Sequence, residues 1–221
     1  MNAVMEILQR LMDHYKSRWR PSEKDPFKAL IRTILSQNTN FRNEASAFDM
    51  LDRKLGVTPE SLAKADLADI ISCIHAAGLF RVKAPRIKQI AEITREKYCG
   101  DLWKILCKPL EEARKELMAL PGVGMKTADV MLLFNAEKPV IPVDRHIFRV
   151  TERLGIVQAN AAYEKVRKIL EESIPSKNYE DAHVLLIQFG RDYCRARNPR
   201  CGVCFLNDLC QWESKDEFSK N

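Results

Sequence analysis

No apolar stretch in this chain approaches the ~18 consecutive residues that a membrane-spanning helix needs. Met1 to Met12 holds acidic Glu6 and lacks a small-residue cleavage site, so no secretory leader is expected there. Low-complexity linkers and internal repeats are absent, which excludes solenoids and arrays. Strand signals are scarce, and Val140-Ile141 is too short to found a sheet. What remains is an intracellular globular protein of the all-α class. Its 221 residues suffice for one large core or two small ones. Hydrophobic residues at 46 % and charged residues at 30 % are the balance such a core requires.

Acidic excess is also lacking. Lysine and arginine total 36 against 30 acids, a net charge of +6 that suits a polyanionic partner without proving one. Between Arg191 and Arg200 there are four arginines and one acid, Asp192. That local surplus suits phosphates, although a solvated basic loop has the same composition.

Seven cysteines in an intracellular chain argue against a disulfide framework. Cys73, Cys99 and Cys107 are scattered, whereas Cys194, Cys201, Cys204 and Cys210 follow the spacing C-x6-C-x2-C-x5-C. A Cys-x-x-Cys pair puts two thiolates on one turn, and the flanking cysteines complete a four-sulfur shell. Structural zinc sites usually use two tight pairs, and here one pair is tight. Uneven loops suit an iron–sulfur cluster, with zinc the competitor.

Helical periodicity runs through most of the chain. Val4, Leu8, Leu11, Met12 and Tyr15 form one stripe, and Phe27, Leu30, Ile31 and Ile34 form another behind the cap Asp25-Pro26. Phe41, Ala45, Phe48 and Leu51 predict a third, stopped at Gly56. Short helices open at Thr58-Pro59 and Asp66. Further helices are expected over Pro85 to Tyr98, around Leu110 to Leu117, over Met125 to Phe134, and over 147–154, 163–170 and 181–193. The chain is expected to divide at Lys138-Pro139.

Leu120-Pro-Gly-Val-Gly-Met-Lys126-Thr-Ala128 separates two helical patterns. Pro121 breaks the first helix, and Gly122 and Gly124 permit a tight turn with positive φ. The N–H groups of Val123, Gly124 and Met125 are then expected to point outward at a helix N-terminus, a seat for a phosphate oxygen. Such a hairpin grips a DNA backbone without reading sequence. An ordinary helix–helix turn is the plainer alternative. Lys126 falls in the first turn beyond it. The positive end of a helix and partial burial both favour the neutral amine that a nucleophile needs. Asp144, in Val143-Asp-Arg-His-Ile147, opens a helix as an N-cap and is also a carboxylate suited to stabilising positive charge on a sugar.

Hairpin, lysine, aspartate and terminal cysteines in this order resemble endonuclease III, a family of helix-hairpin-helix DNA glycosylases. Leu35-Ser-Gln37-Asn-Thr-Asn40, Ala77-Gly-Leu79-Phe and Val143-Asp-Arg-His-Ile-Phe-Arg-Val150 extend the likeness over nearly the whole chain. The resemblance implies a two-domain all-α fold: a six-helix barrel over 22–138, and a domain of 1–21 with 139–221 around a [4Fe–4S] cluster held by Cys194, Cys201, Cys204 and Cys210. It implies Lys126 as nucleophile, Asp144 as its carboxylate partner, Gln37 filling the gap left by an extruded nucleotide, and Leu79 wedging the opposite strand. Gly122, Val123, Gly124, Met125, Arg145, Arg197 and Arg200 are the expected backbone contacts.

The implied activity is base-excision repair. Oxidised pyrimidines would be removed from double-stranded DNA through a lysine Schiff base, with β-elimination nicking the strand at the damaged base or AP site. A monomer without membrane attachment, working on DNA in cytoplasm or nucleoid, is expected. Two positions depart from the family pattern: Gln37 follows Ser36 directly where the bacterial type has an additional residue, and Arg145 stands where threonine is common. A mismatch-specific glycosylase, or a non-catalytic iron–sulfur DNA-binding protein, are the alternatives.

Overall fold

The computed structural model of the chain describes residues 2–16, 21 and 23–219. Among these, regular structure is helical throughout, with no strand. The chain divides into two compact units, one of Ser22–Lys138 and one of Met1–Pro21 with Pro139–Asn221. Ser22, the expected first residue of the larger domain, lies outside the described residues.

The first helix, α1 (Ala3–His14), belongs to the second unit. The larger unit holds α2 (Pro26–Ser36), α3 (Phe41–Leu55), α4 (Pro59–Lys64), α5 (Leu67–Ile74), α6 (Phe80–Tyr98), α7 (Trp103–Leu106), α8 (Leu110–Met118) and α9 (Met125–Phe134). Local chemistry sets their ends. Asp25 accepts the N–H groups of Phe27 and Lys28 while Pro26 occupies the first turn of α2. Thr58 and Ser61 form a capping box at α4. Gly56, at φ +74°, ends α3 in a conformation that costs glycine nothing. The core of this unit gathers Leu30, Ile31, Ile34 and Leu35 of α2 with Ile70 and Ile74 of α5 and Ile87 and Ile90 of α6, all fully buried. Each such side chain contributes about 1.5–3 kcal/mol by leaving water.

Two expectations require correction. Phe41 was expected on the buried stripe of α3 but is 66 % exposed; the face that packs is Glu44, Ala47, Phe48 and Leu51. Helix α6 begins at Phe80, five residues before Pro85. The N–H groups of Val82 and Lys83 already close its first turn on Leu79 O, so Pro85 removes one bond from an established helix.

In the second unit α1 packs on α12 (Tyr179–Asp192) and α11 (Tyr163–Ser173), and α12 packs on α10 (Arg145–Arg153). The segment 139–144 enters this core as irregular chain with Val140, Ile141 and Val143 buried. Side chains take the place of a sheet ladder: Ile141 N donates to Glu171 Oε1 (2.9 Å), Val143 N to Tyr163 OH (3.2 Å), and His183 Nδ1 to Pro142 O (2.8 Å). Three fastenings hold the chain that delivers Asp144.

Candidate functional site

Helix α8 ends at Met118, and the turn over 120–124 leads into α9. Gly122 carries the positive φ, +77°, whereas Gly124 sits in extended conformation as the N-cap, so one glycine of the pair supplies the conformational freedom. The Val123 N–H closes the turn on Leu120 O (3.1 Å) with its side chain buried, which corrects the expectation that its amide points outward. Gly124 and Met125 retain N–H groups with no partner among the described residues, at the N-terminus of a ten-residue helix. Two unpartnered amides at a helix N-terminus are the kind of donor set that an anion accepts. Lys126 follows directly, half-buried in the first turn of α9.

Polar groups unforeseen from the sequence stiffen this hairpin. Arg114 of α8 and Asp129 of α9 form a buried two-pronged ion pair, Nε to Oδ1 at 2.7 Å and Nη2 to Oδ2 at 3.3 Å. Such geometry locks the two helices at one spacing. Gln37, capping the end of α2, donates from its amide to Gly122 O (3.0 Å). Arg86 of α6 covers the other side of the turn: a Cβ on Gly122 would lie 2.7 Å from Arg86 Cδ. A second reason for glycine at 122 is therefore this close approach. Leu79 holds φ +50°, rare for a branched side chain, and is 55 % exposed. Its side chain faces water and adds nothing to the core, so packing does not account for the conformation.

Asp144 heads α10, with Oδ1 accepting from His146 N (2.8 Å) and Ile147 N (2.9 Å). The N-cap role is realised, and Oδ2 has no hydrogen bond among the described residues. Arg145 is exposed, as are Arg197 and Arg200, and none of the three has an acidic partner among the described residues. Burial pushes the His146 imidazole below its usual pKa, against the pull of the nearby Asp144.

Cys194, Cys201, Cys204 and Cys210 line one partly open cavity together with Arg153 and Trp212. The four sulfurs are half-buried, and desolvation pushes the Cys204 thiol up to about 11. The Cys204 thiolate thus requires a cationic centre to hold it deprotonated. On a single zinc ion four thiolates lie about 2.3 Å from the metal, within about 4 Å of one another. Among the described residues no three His, Cys, Asp or Glu side chains converge on a single-ion site. Four cysteines lining one pocket without converging on a single-ion site, and with no histidine in the set, fit a cluster whose ligands attach at separate corners. Arg153 braces the pocket, with Nη1 3.6 Å from Cys194 Sγ and 2.7 Å from Arg195 O and its guanidinium 3.9 Å above the Trp212 ring. From α1, Arg10 grips Asp208 with two contacts of 2.8 Å, and His14 stacks on Phe205 at 4.1 Å.

Residues 31–176 match the family model described as HhH-GPD superfamily base excision DNA repair protein, and 194–210 match the iron-sulfur binding domain of endonuclease III. The chain is 35 % identical to endonuclease III of Thermotoga maritima over 207 residues, 94 % of this chain and 90 % of that one. It is 36 % identical to endonuclease III of Sulfolobus acidocaldarius over 221 residues, 96 % and 97 % of the two chains. Among solved structures it is similar to a trapped endonuclease III–DNA covalent intermediate, with TM-score 0.85 and 30 % identity over 98 % of this chain and 100 % of that one. A thermostable thymine-DNA glycosylase shares the fold, with TM-score 0.79 at 22 % identity over 96 % and 97 %.

Proposed function

This chain belongs to the endonuclease III family of base excision DNA repair proteins, DNA glycosylases that are also AP lyases and carry a [4Fe–4S] cluster, and from that premise we propose that Lys126 is its nucleophile. The observation that carries the reading is the placement of a half-buried amine one residue beyond a turn with two unpartnered N–H groups. The amides of Gly124 and Met125 hold a phosphate, and the helix end beside them favours the uncharged amine.

Extruding a nucleotide costs a few kcal/mol, least at a damaged base. Lys126 Nζ then attacks C1′; the glycosidic bond breaks, and its electron pair leaves with the base. The sugar opens to a Schiff base, and loss of a C2′ proton expels the 3′ phosphate by β-elimination. Asp144 stabilises the positive charge on the sugar, its Oδ1 held by the helix amides and its Oδ2 free of other duties. Gln37 and Leu79 occupy the space vacated in the duplex. Arg145, Arg197 and Arg200 contact phosphates, each worth about one unit of salt slope. Cys194, Cys201, Cys204 and Cys210 hold the cluster, which supplies cross-linking of the segment carrying Arg197 and Arg200. The substrate is duplex DNA with oxidised pyrimidines or AP sites, and the enzyme works on intracellular DNA as a monomer.

Borohydride reduction tests the nucleophile. Wild type should become covalently joined to a duplex with an oxidised pyrimidine, and Lys126→Ala should not, with excision down by more than about a thousandfold. An equal adduct yield from Lys126→Ala refutes the assignment. Asn caps a helix about as well as Asp. Asp144→Asn should therefore keep the melting temperature while slowing excision on the order of a hundredfold; a matching loss of stability would leave only the cap. Duplexes with thymine or uracil opposite guanine, scored separately for base release and strand cleavage, test the substrate class.

A further inference from the structure

Lys83 is the largest fully buried side chain in the larger unit, 1 % exposed, in the first turn of α6. Its ammonium donates to Leu35 O at 2.7 Å and to Ala77 O at 2.9 Å. Both acceptors are carbonyls at the ends of helical segments, where the backbone leaves oxygens unused. Leu35 stands two residues before Gln37, and Ala77 two residues before Leu79. No carboxylate is among its hydrogen-bond partners, and burial lowers the pKa of the amine. A buried cation without a counter-ion is costly. Capping alone is within reach of an uncharged side chain at lower cost, so the position calls for what a lysine adds: two divergent strong donors on a single atom.

We infer that Lys83 is a positioning residue that clips the Gln37 loop to the Leu79 loop, so that the two side chains enter the duplex as one rigid pair. The inference rests on the roles proposed above for Gln37 and Leu79. Separately mobile loops would each have to be ordered on DNA. A pre-formed pair has lost that freedom already. Lys83 touches neither DNA nor the reacting atoms; its effect falls on the extrusion step alone. Substrates that need no extrusion against stacking should be indifferent to it.

The experiment is a double-mutant cycle read by single-turnover base release from a fully paired damaged duplex. In wild type, Gln37→Ala and Leu79→Ala should each slow release, and their combination should slow it by less than the product of the two. In the Lys83→Met background the two effects should multiply independently. Lys83→Met itself should lose on the order of tenfold on the paired duplex, the worth of a charge-assisted buried hydrogen bond. It should lose little on strand cleavage at a pre-formed AP site. Unchanged coupling in Lys83→Met, or equal loss on both substrates, overturns the clip. If neither Gln37→Ala nor Leu79→Ala slows release in wild type, the roles of those side chains fall, and the clip has nothing to position. Should Lys83→Met fail to fold, Lys83→Gln, whose nitrogen is uncharged and one bond nearer the backbone, weakens both contacts and carries the same cycle: coupling should fall below that of wild type, and unchanged coupling overturns the clip.

Discussion

The hairpin joins two helices that bring their own core: Ala113 and Leu117 of α8, and Ala128, Met131 and Leu132 of α9, all fully buried. The cysteine segment over 194–210 contains only two 3-10 turns, Cys201–Val203 and Asn207–Leu209, and buries just Pro199 and Leu206. The first places its functional groups by packing and by a buried ion pair. The second is held by an arginine stacked on Trp212, by contacts with α1, and by whatever joins four sulfurs. One region is thus self-sufficient, and the other needs an added cross-link to hold its exposed arginines in place. Small segments without a core of their own generally take that second route.

The largest test removes the cross-link. Cys204→Ser should abolish the visible absorbance of the cluster and reduce amide-exchange protection over 194–210 to that of free chain, while α8 and α9 keep theirs. Equal loss of protection in the hairpin helices would break the contrast. Next, Asp129→Leu takes the two-pronged carboxylate away from the buried Arg114 guanidinium and should cost about 3–5 kcal/mol in urea unfolding. Arg114→Met with Asp129→Leu should recover most of that loss, because the buried guanidinium is then removed together with its carboxylate and apolar groups fill the space. The smallest effect is expected from Gly122→Ala, about 1–2 kcal/mol for an L residue at φ +77°. The new Cβ also displaces the flexible end of Arg86, so DNA affinity should fall while the cysteine segment is unaffected.

Much of the helical framework was legible because its signals are local. Asp25-Pro26, Thr58, Gly56 and the turn before Met125 act within a few residues, and the helices begin and end there. Phe41 was misjudged because periodicity reports which residues share a face, while the direction of that face depends on packing. The start of α6 was missed because Pro85 is a breaker in isolation, yet it sits in a helix already closed by the two preceding bonds to Leu79 O. The hairpin lysine and the cysteines stood out by spacing. Arg86, Arg114, Asp129 and Arg153 did not, since nothing nearby in the chain distinguishes them from solvated charges.

Sequence alone determined where the backbone turns, which residues are chemically able to act, and that four sulfurs cluster at one end of the chain. Those properties depend on neighbours a few bonds away. Only the tertiary structure decided which polar groups lose their water: Lys83 between two carbonyls, Asp129 under Arg114, Cys204 in its pocket. Desolvation is the sum over everything that surrounds a group, and most of what surrounds these comes from distant parts of the chain.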